Sequence, residues 1–405
     1  MKKVLLSAAL FFTACAASAQ VSVVKEAKSA KSDPAKAAQI IEPALSDPTT
    51  ANDPATWKLA GDFQKALYDG ENMKLYLPGG KADTAVLYSS LLKMFDYYLK
   101  CDDVEQAKVQ KGELKKAKLR KKIAKDLATV RPNLTNGGSD AFNMGDHQKA
   151  LKFFGLFVDA AQHPVFTDEE AVKNDTLVPL IANYAAVAAN SVKDNKAAIK
   201  YANIGKNHKT EGFRSLMCLV EAYGKGEMTD STKWLETIKE GVENFPEQEF
   251  FVGNLMDYYI QKGQIDAALA DIDGFIAKNP NPYFMYVKGV LQYEKHDYEA
   301  AKVTFQQIID KGEGFVAESY SKIGDCYFFP GQEAEEANSK LTINDPQYAQ
   351  GEAKVKELYE AARPYYEKAK ELQPDNKQLW GQFLLRIYWK LNRTEYEALE
   401  KELGY

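Results

Sequence analysis

Between Gly263 and Pro282 the chain reads GQIDAALADIDGFIAKNPNP. Ala268, Ile272 and Phe275 follow one another at steps of four and three, which places them on one face of a helix. Pro280 stops that helix, and Gly263 marks the turn that enters it. A small residue followed by two bulky ones predicts a close helix crossing at Ala268 and filled space around Ile272 and Phe275. The spacing recurs at Ala301, Phe305 and Ile308, and at Trp234, Ile238, Gly241 and Pro246. It recurs again at Ala362, Tyr366, Ala369 and Pro374, at Ala150, Phe154 and Phe157, and at Ala197, Tyr201 and Ile204. Upstream of these lies a second helical pattern: Tyr320, Ile323, Gly324 and Tyr327, then Leu255 and Tyr259, Trp57 and Gly61, and Trp380. A period of roughly 34 residues with two helices per period predicts an array of stacked helix pairs.

On these residues the chain resembles the tetratricopeptide repeat family, with its W-x2-L-G-x2-Y pattern in the first helix and A-x3-F-x2-A-x4-P in the second. The resemblance covers residues 131–405 well and 33–130 loosely. It implies an all-α, right-handed helical-hairpin solenoid of about seven helix pairs.

Residues 1–19 have Lys2 and Lys3, a short apolar run and Ala17-Ser18-Ala19, the pattern of a secretory signal cleaved after Ala19. Phe12-Thr13-Ala14-Cys15 also resembles a lipobox, and acylation of Cys15 would tether the protein to a membrane. The expected location is therefore exported and periplasmic, with an outer-membrane lipoprotein as the lesser alternative. Residues 20–32 read as a flexible leader. Residues 33–130 read as divergent helical repeats ending in a basic amphipathic helix at 103–130. The array proper spans 131–376, with a polar insertion near 330–355, and 377–405 form a last repeat and capping helix.

Composition removes several function classes. The 405 residues are 45% hydrophobic and 27% charged, with a net charge of −5. That charge becomes −7 when Lys2 and Lys3 leave with the signal. A mildly acidic chain lacks the global charge for nucleic acid. Cys101, Cys218 and Cys326 are an odd, widely spaced set, which suits small apolar gaps in a helical core. The uncharged stretch 176–192 contains Pro179, Asn183, Asn190 and Ser191 and reads as a buried helix. His147, His163, His208 and His296 form no metal motif, and there is no nucleophile elbow or phosphate loop. Gly137-Gly138 falls where a first repeat helix belongs and is assigned to helix packing. No enzyme, cofactor or metal is expected.

In the family resembled, the first helix of each pair lines a concave groove that holds a partner. That register points to Asn254, Asp257, Tyr283, Tyr286, Tyr293, Lys322, Asp325, Phe329, Gln382 and Tyr388 as partner-binding candidates. Some members hold a C-terminal carboxylate with basic residues there. This chain has Gly253, Asp257, Val287, Glu318 and Lys322 at those places, a poor match. A groove of tyrosines with scattered acids suits instead a peptide with apolar and basic residues, or a sugar stacked on tyrosine. Lys115, Lys118 and Lys122 in the basic stretch are candidates for an anionic surface. The function read from these features is a non-catalytic exported scaffold for an unidentified protein or peptide partner. The alternatives are glycan capture at the outer membrane and a structural subunit of an envelope assembly.

Overall fold

In the computed structural model, which describes residues 21–225 and 228–405, every regular element is helical and no strand occurs among the described residues. The chain divides into two units, the first ending at Asp230 and the second beginning at Ser231. The first holds α1 (residues 21–29), α2 (Pro34–Ile41), α3 (Pro48–Ala51), α4 (Pro54–Lys74), α5 (Thr84–Gln110), α6 (Arg120–Val130), α7 (Asn133–Asn143), α8 (His147–Ala160), α9 (Glu170–Lys173), α10 (Val178–Ser191), α11 (Asn195–Gly205) and α12 (Gly212–Gly224). The second holds α13 (Ser231–Asn244), α14 (Glu249–Gln261), α15 (Ile265–Lys278), α16 (Pro282–Glu294), α17 (Tyr298–Lys311), α18 (Val316–Ser339), α19 (Tyr348–Leu372), α20 (Gly381–Lys390) and α21 (Tyr396–Leu403).

Neighbouring helices pack as hairpins: α4 on α5, α7 on α8 and α10 on α11 in the first unit, and α16 on α17 and α18 on α19 in the second. Alternate helices also meet, α8 with α10 and α10 with α12, then α14 with α16 and α16 with α18. Each pair therefore packs within itself and on the next, the arrangement of a helical repeat array. The turns inside the hairpins share one device. Gly145, Lys193, Gly263 and His296 have φ of 78°, 61°, 66° and 62°, each two residues before its second helix. Asp146, Asp194 and Asp297 then cap α8, α11 and α17, their carboxylates accepting from Lys149 N, Ala197 N and Ala300 N.

Close packing within α7–α8 and α16–α17 is set by a glycine on the first helix and an aromatic ring on the second. A Cβ on Gly138 would stand 2.3 Å from Phe154 Cε1, and one on Gly289 would stand 2.6 Å from Phe305 Cε1. In both cases the partner lies 16 residues on. Ala268 and Ile272 are fully buried, as their spacing predicts. Phe275 is half-buried and faces Phe284 of α16 at 6.1 Å between ring centres.

Three sequence expectations need correction. Residues 21–29 are helical rather than a loose leader, and Ala27 is buried in a cluster with Ala37, Ile41 and Phe63. The Lys, Ala and Ser content concealed a one-sided stripe of Val23, Val24, Ala27 and Ala30. The basic stretch 103–130 is not one helix. α5 ends at Gln110 and α6 begins at Arg120, with Gly112 at φ 74° breaking the chain between them. The stretch 330–355 is mostly helix: α18 continues through Pro330 to Ser339, and α19 starts at Tyr348. Here the glycine and its ring, Gly324 and Tyr366, lie 42 residues apart rather than 16, so the extra 26 residues lengthen both helices of one hairpin. Packing overrides the usual proline stop. Phe328 stacks on Tyr359 at 5.3 Å, and a Cβ on Gly331 would stand 2.8 Å from Tyr359 Cε1.

The signal cleavage site after Ala19 and the lipobox cysteine Cys15 lie outside the described residues. No helix among the described residues is long and apolar enough to cross a membrane.

Candidate functional site

Tyr283, Tyr286 and Tyr293 stand three and seven residues apart on α16, so one helical face carries all three rings. Each is half-buried. Tyr286 stacks on Phe315 with ring centres 5.0 Å apart and planes 18° from parallel, and Tyr283 lies 5.6 Å from the same ring. Phe315 holds this position in left-handed backbone, φ 38°, directly after Gly314 at φ 56°. A bulky residue there costs about 1–3 kcal/mol of local strain. Its ring recovers part of that cost by filling the space beside both tyrosines.

Farther along α16, Tyr293 meets Phe329 of α18 edge-on at 6.3 Å, and Phe329 meets Phe383 of α20 at 6.2 Å. The Lys322 ammonium sits 5.3 Å from the Tyr293 ring centre, a cation–π contact. Lys322 also donates to Asp325 Oδ2 at 2.8 Å, while Tyr366 Oη donates to Asp325 Oδ1 at 2.6 Å. Burial disfavours the Lys322 charge, but the charge of Asp325 and its hydrogen bond hold the ammonium pKa above its usual value. Burial, with the nearby Glu249 and Asp257 carboxylates, pushes the Tyr283 phenol up to about 12. Burial likewise raises Tyr286 and Tyr293, so both are neutral donors at ordinary pH.

The hydroxyls of Tyr286 and Tyr293 differ from those of the tyrosines locked into the array. Tyr98, Tyr201, Tyr259, Tyr359, Tyr366 and Tyr388 each donate to a carboxylate of the protein, at 2.6 to 3.0 Å. Tyr286 and Tyr293 have no hydrogen-bond partner among the described residues, and neither oxygen is a sealed buried atom. Both phenols are therefore open to a bound molecule.

The sequence-predicted candidates do not all belong together. Tyr283, Tyr286, Tyr293, Lys322 and Phe329 form the aromatic row. Asn254 is half-buried and donates to Phe250 O within its own helix. Asp257 is exposed and close enough to raise the Tyr283 phenol pKa. Gln382 is exposed on α20. Two candidates are core groups instead. Asp325 is 5% exposed and tied to Tyr366 and Lys322, and Tyr388 is 8% exposed with its hydroxyl on Glu367. The reason for both is a polar atom satisfied inside the array by the neighbouring long helix α19, which periodicity alone does not reveal. Sequence reasoning missed Phe315 and Phe383. The signal for Phe315 was the run Gly312-Glu313-Gly314-Phe315, whose two glycines announce an unusual backbone. The anionic-surface candidates Lys115, Lys118 and Lys122 are exposed in the first unit. Among the described residues no group of histidine, cysteine and carboxylate side chains could hold a metal ion.

No protein-family model matches the chain, and no curated protein matches it. Solved structures do. The chain is similar to a TPR repeats protein from Bacteroides fragilis, at 16% identity over 64% of this chain and 98% of that one, with a TM-score of 0.32. It is similar to the C-terminal part of a TPR repeat-containing protein from Cytophaga hutchinsonii, at 14% identity over 66% and 92%, with a TM-score of 0.38. It is also similar to a tetratricopeptide repeat protein from Parabacteroides merdae, at 16% identity over 64% and 99%, with a TM-score of 0.33.

Proposed function

We propose that this chain is an exported, non-catalytic helical-repeat scaffold of the tetratricopeptide type that binds an extended protein segment along the aromatic row of α16 and α18. The observation that carries this reading is the pair of half-buried rings, Tyr286 and Tyr293, on one face of α16, whose hydroxyls have no partner among the described residues and which stand against Phe315, Phe329 and Lys322. Rigid aromatic side chains supply contact area at little entropic cost, and a few such anchors carry most of an interface's affinity. The phenols would donate to backbone carbonyls of the segment. Phe329 and the Tyr293 ring would receive an apolar side chain. Lys322 is neutralised by Asp325, so the row does not select strongly for an acidic ligand.

The test places a photo-crosslinking residue at Tyr286 or at Tyr293 in cells, with Lys354 on the exposed face of α19 as control. One protein adduct at both groove positions, absent at Lys354, supports the reading. Tyr286→Phe/Tyr293→Phe keeps the rings and removes only the hydroxyls. It should weaken the purified complex about tenfold, since a neutral hydrogen bond contributes ~0.5–1.5 kcal/mol. No adduct above control, together with retention of a glycan that the same variant loses, would move the assignment to glycan capture.

A further inference from the structure

The segment 111–125 concentrates basic side chains, with lysine at 111, 115, 116, 118, 121, 122 and 125 and Arg120 among them. Lys115, Lys116, Lys118, Lys121 and Lys122 are all exposed, and none has an ion-pair or hydrogen-bond partner for its ammonium among the described residues. Lys111 and Lys125 flank them, also exposed. The acid within the segment, Glu113, is taken by Lys108 at 3.2 Å. In the second unit Lys278 pairs with Glu243, Lys288 with Asp273, Lys295 with Asp266 and Lys368 with Glu371.

The placement also works against stability. α6 opens with Arg120, Lys121 and Lys122 and has no acidic residue in its first turn. Exposed cations at a helix N-terminus oppose the helix dipole. Arg120 is compensated by Asp102, but Lys121 and Lys122 are not, and a local rule broken without compensation is a mark of function.

The frame beneath the lysines is nevertheless fixed. Glu105, 3% exposed, accepts from Lys118 N at 2.9 Å and from Leu119 N at 3.0 Å. Asp102, 1% exposed, takes Arg120 in a two-pronged pair at 2.8 and 2.7 Å. Two buried carboxylates thus hold the backbone of a basic loop and the start of its helix, and the lysine side chains point away from them into solvent.

We infer that this surface docks on an anionic phospholipid membrane. The chemistry favours that occupant over other polyanions. Residues 111–125 contain no aromatic ring on which a base could stack. Leu114 and Leu119 are half-buried, so no exposed apolar anchor is offered to a protein partner. Point-charge ammoniums spread over a loop and one helical turn suit a diffuse sheet of phosphates, and clusters of four to eight lysines bind such sheets with about 1 kcal/mol per residue.

The test is co-sedimentation of the purified protein with vesicles of phosphatidylcholine alone or with about one-third phosphatidylglycerol. Sedimentation is expected with the anionic vesicles only, and should fall steeply between low and half-molar salt as the charges are screened. Each lysine changed to glutamine should lower the partition about fivefold, and K115Q/K116Q/K118Q/K121Q/K122Q should abolish it. K278Q/K295Q/K368Q should leave it intact, with a thermal melt confirming that both variants fold. Equal sedimentation with neutral vesicles, undiminished sedimentation of the five-site variant, or binding of an acidic peptide or polyphosphate without vesicle binding would overturn the inference.

Discussion

Gly324 on α18 and Tyr366 on α19 occupy the same space: a Cβ on the glycine would stand 2.8 Å from the tyrosine Cζ. The ring lies across the glycine, and its hydroxyl reaches Asp325 at 2.6 Å. One backbone position thus fixes both the approach of two long helices and the partner of a buried carboxylate. Gly324→Ala should destabilise the second unit by about 1–3 kcal/mol, the usual cost of overpacking. Gly274, exposed in α15 with nothing within 4 Å of its Cβ position, is the contrast. Gly274→Ala should stabilise by up to ~1 kcal/mol through helix propensity. Urea unfolding of both variants checks the pair, and a neutral Gly324→Ala would refute the packing account.

Lys193 and His296 stand where sibling turns use Gly145 and Gly263. Lys193→Gly removes a side chain from left-handed backbone. It should gain about 0.5–1 kcal/mol, net of the entropy glycine adds to the unfolded chain. A rise of a few degrees in melting temperature is the readout. The same change at His296 should gain less, because His296 Nδ1 lies 2.9 Å from the Tyr298 hydroxyl.

Glu105 should be worth more than any surface ion pair. It is buried and takes the amides of Lys118 and Leu119. Glu105→Gln puts an amide N–H₂ where acceptors are needed, at a cost of about 1–3 kcal/mol. Hydrogen exchange over 111–122 should accelerate while α7 and α8 stay protected. Unchanged exchange in that segment would show that the loop is held by something else.

Alkaline pH should unfold the protein cooperatively. Burial and the Asp325 carboxylate raise the Tyr366 phenol well above its ordinary 10.0, and burial raises Tyr98 and Tyr201 in the same direction. A raised pKa means the folded state holds the proton more tightly. That contribution is complete below pH 10 and is lost as the unfolded phenols ionise above it. Absorbance of tyrosinate should lag in the pH 10 to 12 range and then appear together with loss of helical circular dichroism. Tyrosinate formation at pH 10 with helix intact would contradict the buried phenols.

The proposed peptide binding and membrane docking both depend on surfaces, and surfaces are where the sequence was least legible. The repeat steps from Ala150 to Pro374 located the helices, the small positions and the bulky positions, because a 3.6-residue period marks the buried face of each helix. The groove register implied by the repeat resemblance pointed to a tyrosine face on α16. It also placed Asp325 and Tyr388 on the open side, and both are buried. Periodicity assigns a face to one helix; it does not say whether another helix covers that face.

What the sequence by itself determined is the hairpin array: the small and bulky positions at helical steps, the period near 34 residues and the turn at Gly263. These depend on contacts local in the chain, so local residue types suffice to specify them. The tertiary structure decided what depends on distant partners. Pro330 stays helical because α19 packs along α18. The basic stretch breaks into a loop and a helix because Asp102 and Glu105, a turn apart on α5, turn back to hold it. The phenols of Tyr286 and Tyr293 are open because no carboxylate from another helix reaches them. Each of these is a pairing between residues far apart in the chain, and only the folded backbone decides which of those residues meet.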